Sequence, residues 1–276
     1  IQYIIAHFNK YQFIFPEKQI RREWESETDY DHRQLQAMES SQQTATIVAF
    51  QLADEQVKIK NEGVLVSGVI EGMPAAKDLK VGDVIIEVDG KTMLKSEQLL
   101  EYLNDKKVGD EVVFKIERDG ESLTVQIEVQ AFPEEYSSNG ETQYGIGIVG
   151  PVTKRVVETN REVHFQTDNI GGPSAGLMFS LHIYNQLIEE DLTKGYQIAG
   201  TGEILEDGTV GAIGGIEQKV VAADRAGADL FFTPIAGGNE EAAKEAATDI
   251  ETDMEVVPVR TIHDAIDYLR SLPPKS

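Results

Sequence analysis

The sequence predicts an α/β (α+β) domain preceded by a small β-rich domain, with a helical segment ahead of both. Three observations carry this. From Gly145 to Leu272 short apolar strands alternate with amphipathic helix-length runs, the pattern of an α/β domain. From Gln56 to Ala131 short strands follow one another across Asp-Gly turns. Residues 1–54 hold one proline and no glycine, which suits helix. The expected divisions are therefore 1–54, 56–131, a linker at 132–144, and 145–272.

Taken in order, "IQYIIAHFNKYQFIF" is greasy but interrupted by polar residues and reads as a core or interface helix. Pro16 separates it from the next helix, whose charges alternate in sign along a solvated face. "QVKIK" and "GVLVSGVI" read as two short strands. Asp89-Gly90 and Asp119-Gly120 each mark a tight hairpin. Between them "SEQLLEYLND" is a short helix opened by Ser96. After the Ser-, Asn- and Gly-rich stretch at 132–147, "EVHFQT" reads as a strand and "SAGLMFSLHIYNQLI" as a helix. "GYQIAGTGEI" is a strand, and "IEQKVVAADRAGA" a helix stopped by Gly227. "LFFTP" and "EVVPV" are strands, separated by an acidic helix capped by Asn239, and "TIHDAIDYLRSL" closes the chain.

Composition narrows the function. There are 48 acidic and 25 basic residues, a formal charge of −23, which repels phosphate backbones and argues against nucleic acid. The absence of cysteine removes thiol catalysis, disulfides and cysteine-ligated zinc. None of the five histidines stands in a ligand spacing such as H-E-x-x-H, so no metal and no cofactor are expected. No apolar run reaches 18 residues, so no membrane-spanning helix is expected either. The chain begins at Ile1, as expected of a fragment or a processed product.

"NIGGPSAGLMF" packs Gly171, Gly172 and Pro173 ahead of Ser174, with Ala175 and Gly176 behind it. One reading is a helix N-terminus capped by serine. Another is a nucleophile whose small neighbours leave room for a substrate backbone, with N–H groups around Gly172, Pro173 and Ala175 forming an oxyanion site. A third is an anion site at the helix start. A serine nucleophile needs a base. His182 lies eight positions into the helix and cannot fold back, and His164 stands ten residues upstream as a partly buried polar residue. Lysine is another partner for serine. Lys219 sits among Ile216, Val220, Val221 and Ala223. Bringing an ammonium from pKa ~10.4 to near 7 requires roughly 4–5 kcal/mol of desolvation. The alternative is a surface lysine whose stem snorkels over the helix.

"GVLVSGVIEGMPAAKDLKVGDVIIEVDGK" and the helix from Ser96 resemble a PDZ domain of the bacterial protease-associated kind, over about Gly63 to Val129. The resemblance implies strand-addition binding of extended peptides. It would run along Gly63, Val64, Leu65 and Val66, with Leu99 and Leu103 on the facing helix. No Gly-Leu-Gly-Phe-type carboxylate loop stands ahead of Gly63, which leaves both C-terminal capture and a ligand-free spacer open.

"GGPSAG" followed by "TGEILEDGTVGAIGGIEQKVVAADRAGADLFFTP" resembles the proteolytic domain of Lon-type proteases, over about Gly145 to Leu272. That resemblance implies a Ser–Lys dyad: Ser174 as nucleophile, Lys219 as general base, and Thr201 beside the lysine, able to orient its amine. One departure is that Gly171 stands where the family commonly has Asp, the nearest upstream acid being Asp168. ATP-driven Lon enzymes carry a G-x-x-x-x-G-K-[ST] loop, and none occurs here. The whole resembles the ATP-independent PDZ–Lon proteases tethered at the outer face of bacterial membranes. The resemblance thus implies an extracytoplasmic endopeptidase acting on unfolded or tagged polypeptides. It also implies a homo-hexameric ring, and a membrane anchor in a segment absent from this chain. The rival reading is a peptide-binding scaffold with an inactive protease-like domain.

Overall fold

The computed structural model describes residues 11, 21, 27–133, 143–167 and 170–275. The greasy opening apart from Tyr11, the Pro16 break, most of the 132–144 linker and Asp168 lie outside the described residues. Two compact units emerge: Gln34–Lys58 together with residues 159–275, and residues 27–33 together with Ile59–Glu158. This differs from the expected divisions at both ends. The long N-terminal helix, expected to be a separate segment, contributes to the core of the C-terminal unit. Residues 145–158, expected in that unit, belong to the β-rich one.

From Gln34 onward α1 (Glu27–Leu52) belongs to the C-terminal unit, and it is not solvated along one whole face. Its end, Thr44–Phe50, is buried all round, because small and apolar residues succeed one another without a charge. Ala45, Val48, Ala49 and Phe50 pack on Leu177, Leu181 and Tyr184 of α4 (Gly176–Leu187). The sheet is parallel, in the order β13–β12–β9 (Glu255–Val259, Leu230–Pro234, Ile198–Gly200). Alternation splits β12 between two cores. Phe232 faces α1, α4 and α7 (Ile262–Ser271), while Phe231 faces α5 (Ile216–Arg225) and α6 (Asn239–Asp249). The result is helices on both faces of a parallel sheet. The short antiparallel pair β10 (Glu203–Ile204) and β11 (Val210–Gly211) stands beside it.

Two local expectations change. "EVHFQT" forms no ladder among the described residues; Val163 and Phe165 turn inward, Phe165 edge-on to Phe179 at 5.1 Å, but the backbone finds no strand partner. Asn239 does not cap α6. Its buried amide instead accepts from Ile213 N and donates to Ile213 O, pinning the Ile-Gly-Gly turn ahead of α5.

In the β-rich unit, "QVKIK" and "GVL" fuse into one strand, β1 (Val57–Leu65). The sheet runs β5–β4–β2–β1–β8, with β3 beside β2. Its strands are β2 (Val84–Val88), β3 (Lys91–Thr92), β4 (Glu111–Arg118), β5 (Glu121–Glu128) and β8 (Val152–Thr159). Both Asp-Gly hairpins form with positive φ at both residues, 47° and 79° at Asp89-Gly90 and 51° and 81° at Asp119-Gly120. The one-turn helix α2 (Ala75–Asp78) and α3 (Ser96–Asn104) cover the core. Ser96 is the first residue of α3 rather than its cap; its N–H and hydroxyl meet Thr153 Oγ1 at 3.0 and 3.1 Å. The pair β6 (Gln130–Ala131) and β7 (Tyr144–Gly145) completes the unit. Among the described residues no helix is long and apolar enough to cross a membrane.

Candidate active site

Helix α4 starts at Gly176, so Ser174 stands in the turn ahead of it. The N-cap position is Ala175, with no side-chain cap bond, so the serine hydroxyl is not used as a cap. Helix α1 holds this turn from one side. Gln34 O accepts from Gly172 N at 2.9 Å, Ser41 Oγ donates to Pro173 O at 3.1 Å, and Gln42 Nε2 donates to Thr167 Oγ1 at 2.8 Å. The segment after β9 holds it from the other: Thr201 Oγ1 and Gly202 N both donate to Ser174 O at 2.9 Å.

This contact explains the glycines differently from the sequence reading. A Cβ on residue 171 would lie 2.6 Å from Gln34 Cβ. One on residue 176 would lie 2.8 Å from Ile204 Cγ2 and 2.9 Å from Ser41 Oγ. The space at Gly171 and Gly176 is taken by the protein itself, not left for a substrate backbone. Gly172 has φ 87°, a left-handed turn that favours glycine.

Lys219 reaches this turn from α5. The helix begins after Gly215, held in the left-handed region at φ 68°, and Ile216 and Val220 bury its inner face. The half-buried Lys219 places Nζ 3.3 Å from Ser174 Oγ. Burial lowers the pKa of its amine below the ordinary lysine value. A lysine so placed can take a proton from a serine hydroxyl.

Thr201 lies elsewhere than expected in its bonding. Its buried hydroxyl is spent on the Ser174 carbonyl, not on the lysine amine. The oxyanion assignments also shift. Pro173 has no N–H, and that of Gly172 is given to Gln34. The N–H groups of Ser174 and Ala175 have no acceptor among the described residues, so these two are free to meet an anion. His164 is exposed rather than partly buried, 3.2 Å from Glu162 Oε2, and no histidine hydrogen-bonds Ser174 among the described residues.

The β-rich unit has a second candidate site, away from the residues expected. Strand β1 lies between β2 and β8, so neither edge is free to add a strand. Val64, Val66 and Leu99 are fully buried core, and Leu65 is half-buried in the same strand. Gly63 is there because a Cβ would lie 2.7 Å from Val84 Cγ1. Of the expected set only Leu103 borders a groove. That groove, of about 390 Å³, runs between α3 and residues 144–148, lined by Leu100, Leu103, Lys106, Phe132, Ile146 and Ile148. Beside it "YGIGI" bends at Ile146 and Gly147, the latter at φ 95°. Ile70 N donates to Gly147 O and Val149 N to Gly68 O, both at 2.8 Å. The N–H groups of Ile146, Gly147 and Ile148 have no acceptor among the described residues. This Gly-apolar-Gly-apolar stretch is of the carboxylate-loop type that was missing ahead of Gly63. It follows the hairpins instead of preceding them, so a search upstream passes it by.

Comparison with known proteins finds two domain families, whose matches begin inside α1 and inside β8. The PDZ domain family matches residues 41–129, and the Lon protease (S16) C-terminal proteolytic domain matches residues 155–270. The Lon protease of Aster yellows witches'-broom phytoplasma is 31% identical over 36% of this chain and 12% of its own length. A probable periplasmic serine endoprotease, DegP-like, of Halomonas elongata is 35% identical over 34% of this chain and 20% of its own. The PDZ domain of an SdrC-like protein from Listeria monocytogenes is 32% identical, over 33% of this chain and 90% of its own, with a TM-score of 0.29. The matches thus span 12% and 20% of the two curated relatives. The chain joins a PDZ domain to a proteolytic domain of the Lon (S16) type.

Proposed function

We propose that this chain is an ATP-independent serine endopeptidase in which Ser174 is the nucleophile and Lys219 the general base. The observation that carries the reading is the lysine amine 3.3 Å from the serine hydroxyl, its pKa lowered by burial. The Ser174 proton passes to neutral Lys219 as Oγ attacks the peptide carbonyl. The N–H groups of Ser174 and Ala175 hold the resulting oxyanion. The lysine ammonium returns its proton to the departing amine, leaving an acyl-enzyme. Water then repeats the sequence, with Lys219 again the base. Gly171, where the family commonly has Asp, fits the same site because Gln34 packs against it.

Substrate selection falls to the PDZ groove. A polypeptide with an apolar end fits beside Leu100, Leu103 and Ile148 and meets the free N–H groups of 146–148. ATP independence rests on the lack of a phosphate-binding loop within these 276 residues. A homo-hexameric ring and an extracytoplasmic, membrane-tethered setting follow the resemblance to PDZ–Lon proteases. The similarity to a DegP-like protein described as periplasmic points the same way.

The test is degradation of casein and of a short fluorogenic peptide by the chain, with and without ATP and magnesium, beside Ser174→Ala. Cleavage that needs no nucleotide and is lost in Ser174→Ala is expected. Cleavage retained by Ser174→Ala would overturn the nucleophile, and several-fold stimulation by ATP would overturn the nucleotide independence.

A further inference from the structure

We infer that Ser41, a residue of α1 remote in sequence from the dyad, is a positioning residue for the oxyanion site; the inference rests on Ser174 being the nucleophile. Two consecutive peptide units flank Ser174. Each is planar and trans, so its carbonyl and N–H point in opposite directions and turn together. Fixing the carbonyl of one therefore aims its N–H.

Both carbonyls are fixed by a buried hydroxyl. Ser41 Oγ, on a residue 5% exposed, donates to Pro173 O at 3.1 Å, and the N–H of that peptide unit belongs to Ser174. Thr201 Oγ1, on a residue 2% exposed, donates to Ser174 O at 2.9 Å, and the N–H of that unit belongs to Ala175. Neither of those two N–H groups has an acceptor among the described residues. Each carbonyl has one backbone donor besides, Gly176 N at 3.2 Å for Pro173 O and Gly202 N at 2.9 Å for Ser174 O. The Pro173 unit thus has the longer backbone bond and depends more on its hydroxyl. Gly176 belongs to the same arrangement, since a Cβ there would lie 2.9 Å from Ser41 Oγ. The two clamps come from α1 and from the segment after β9. A transition-state oxyanion gains most from donors already aimed before it forms.

The test uses the full chain with Ser41→Ala, Ser41→Cys, Ser41→Thr and Ser174→Ala. Cysteine keeps the packing but is a weak donor, and threonine keeps the hydroxyl. On a short peptide, Ser41→Ala and Ser41→Cys should lower kcat by roughly 10- to 100-fold, below the full loss of a direct oxyanion donor. KM, the thermal midpoint and the pH of the activity limb should stay at wild-type values, because Lys219 is untouched. Affinity for a peptide boronate, whose tetrahedral adduct needs the oxyanion site, should fall in parallel. Ser41→Thr should restore kcat to within about threefold of wild type, a difference of under one kcal/mol in the barrier. If Ser41→Ala destabilises the fold, Ser41→Cys decides the matter. A kcat within twofold of wild type in Ser41→Cys would overturn the inference, as would a Thr variant as slow as the Cys variant. Hydrolysis by Ser174→Ala would overturn the nucleophile reading itself, a result distinct from either.

Discussion

Adding a single methyl at residue 171 should cripple the site without touching either member of the dyad. In Gly171→Ala the new carbon would lie 2.6 Å from Gln34 Cβ, 3.2 Å from its carbonyl carbon and 3.3 Å from its carbonyl oxygen. Carbon atoms in contact sit about 3.5–4.0 Å apart, so relief requires a displacement of about 1 Å. The obstacle is backbone and the first atom of a side chain on a long helix, and neither swings away. The same Gln34 carbonyl takes the Gly172 N–H at 2.9 Å, so the loop moves rather than the helix, and Ser174 moves with it. Overpacking of this kind costs about 1–3 kcal/mol of stability. A misplacement of ~1 Å at a reacting group costs ~10²-fold in rate. The assay is kcat/KM on a short peptide together with a thermal melt. Gln34→Gly in the same chain removes the worst contact, at about 1 kcal/mol for glycine in a helix. The double variant should therefore recover activity beyond the sum of the single effects. Gly171→Ala with activity within twofold of wild type and an unmoved melt would refute the reasoning.

Lys219→Arg should fall to less than about a tenth of wild-type activity, since a guanidinium cannot shed its proton at any working pH. The wild-type rate should rise with pH along one limb set by Lys219, whose folded pKa lies below 10.5. In that window the unfolded chain binds more protons than the native one, so this residue makes stability rise with pH. The slope between the folded pKa and 10.5, measured by denaturant unfolding, should be shallower in Lys219→Met, and an unchanged slope would mean that burial does not depress the amine. Leu100 is 46% exposed and borders the PDZ groove, so Leu100→Asp should spare folding and short-peptide cleavage while raising KM for a protein substrate. Equal loss on both substrates would make the groove structural. Arg118 grips the buried Asp83 through Nε and Nη2, each at 2.6 Å. Arg118→Met strands that carboxylate and should destabilise the PDZ unit by about 3–5 kcal/mol in a urea titration.

Much of the local structure was legible in the sequence because its signals are short-range. The Asp-Gly hairpins are fixed by which residues tolerate positive φ at 89–90 and 119–120. Gly227, at φ 77°, ends α5 where a left-handed residue was expected. The resemblance of the blocks around them to a Lon-type domain singles out Ser174 and Lys219; the residues alone leave a helix cap and a surface lysine open.

What stayed hidden depends on atoms far apart in the chain. Nothing near Ser41 in the sequence says that its hydroxyl meets Pro173 O, 132 residues away. The bonding of Thr201 to a carbonyl rather than to the amine was equally beyond local reading. The PDZ resemblance implies β1 as a peptide-binding edge, and local sequence does not say which strand pairs beside it; β8 does. The "YGIGI" loop is plain as a motif, yet only the fold brings it beside α3. The sequence by itself determined most element types and the hairpins, because these follow from backbone preference within a few residues. The tertiary structure decided which N–H groups lack an acceptor among the described residues, and why Gly171 and Gly176 leave no room for side chains. Each of these is a question of which distant group already occupies the space or the hydrogen bond.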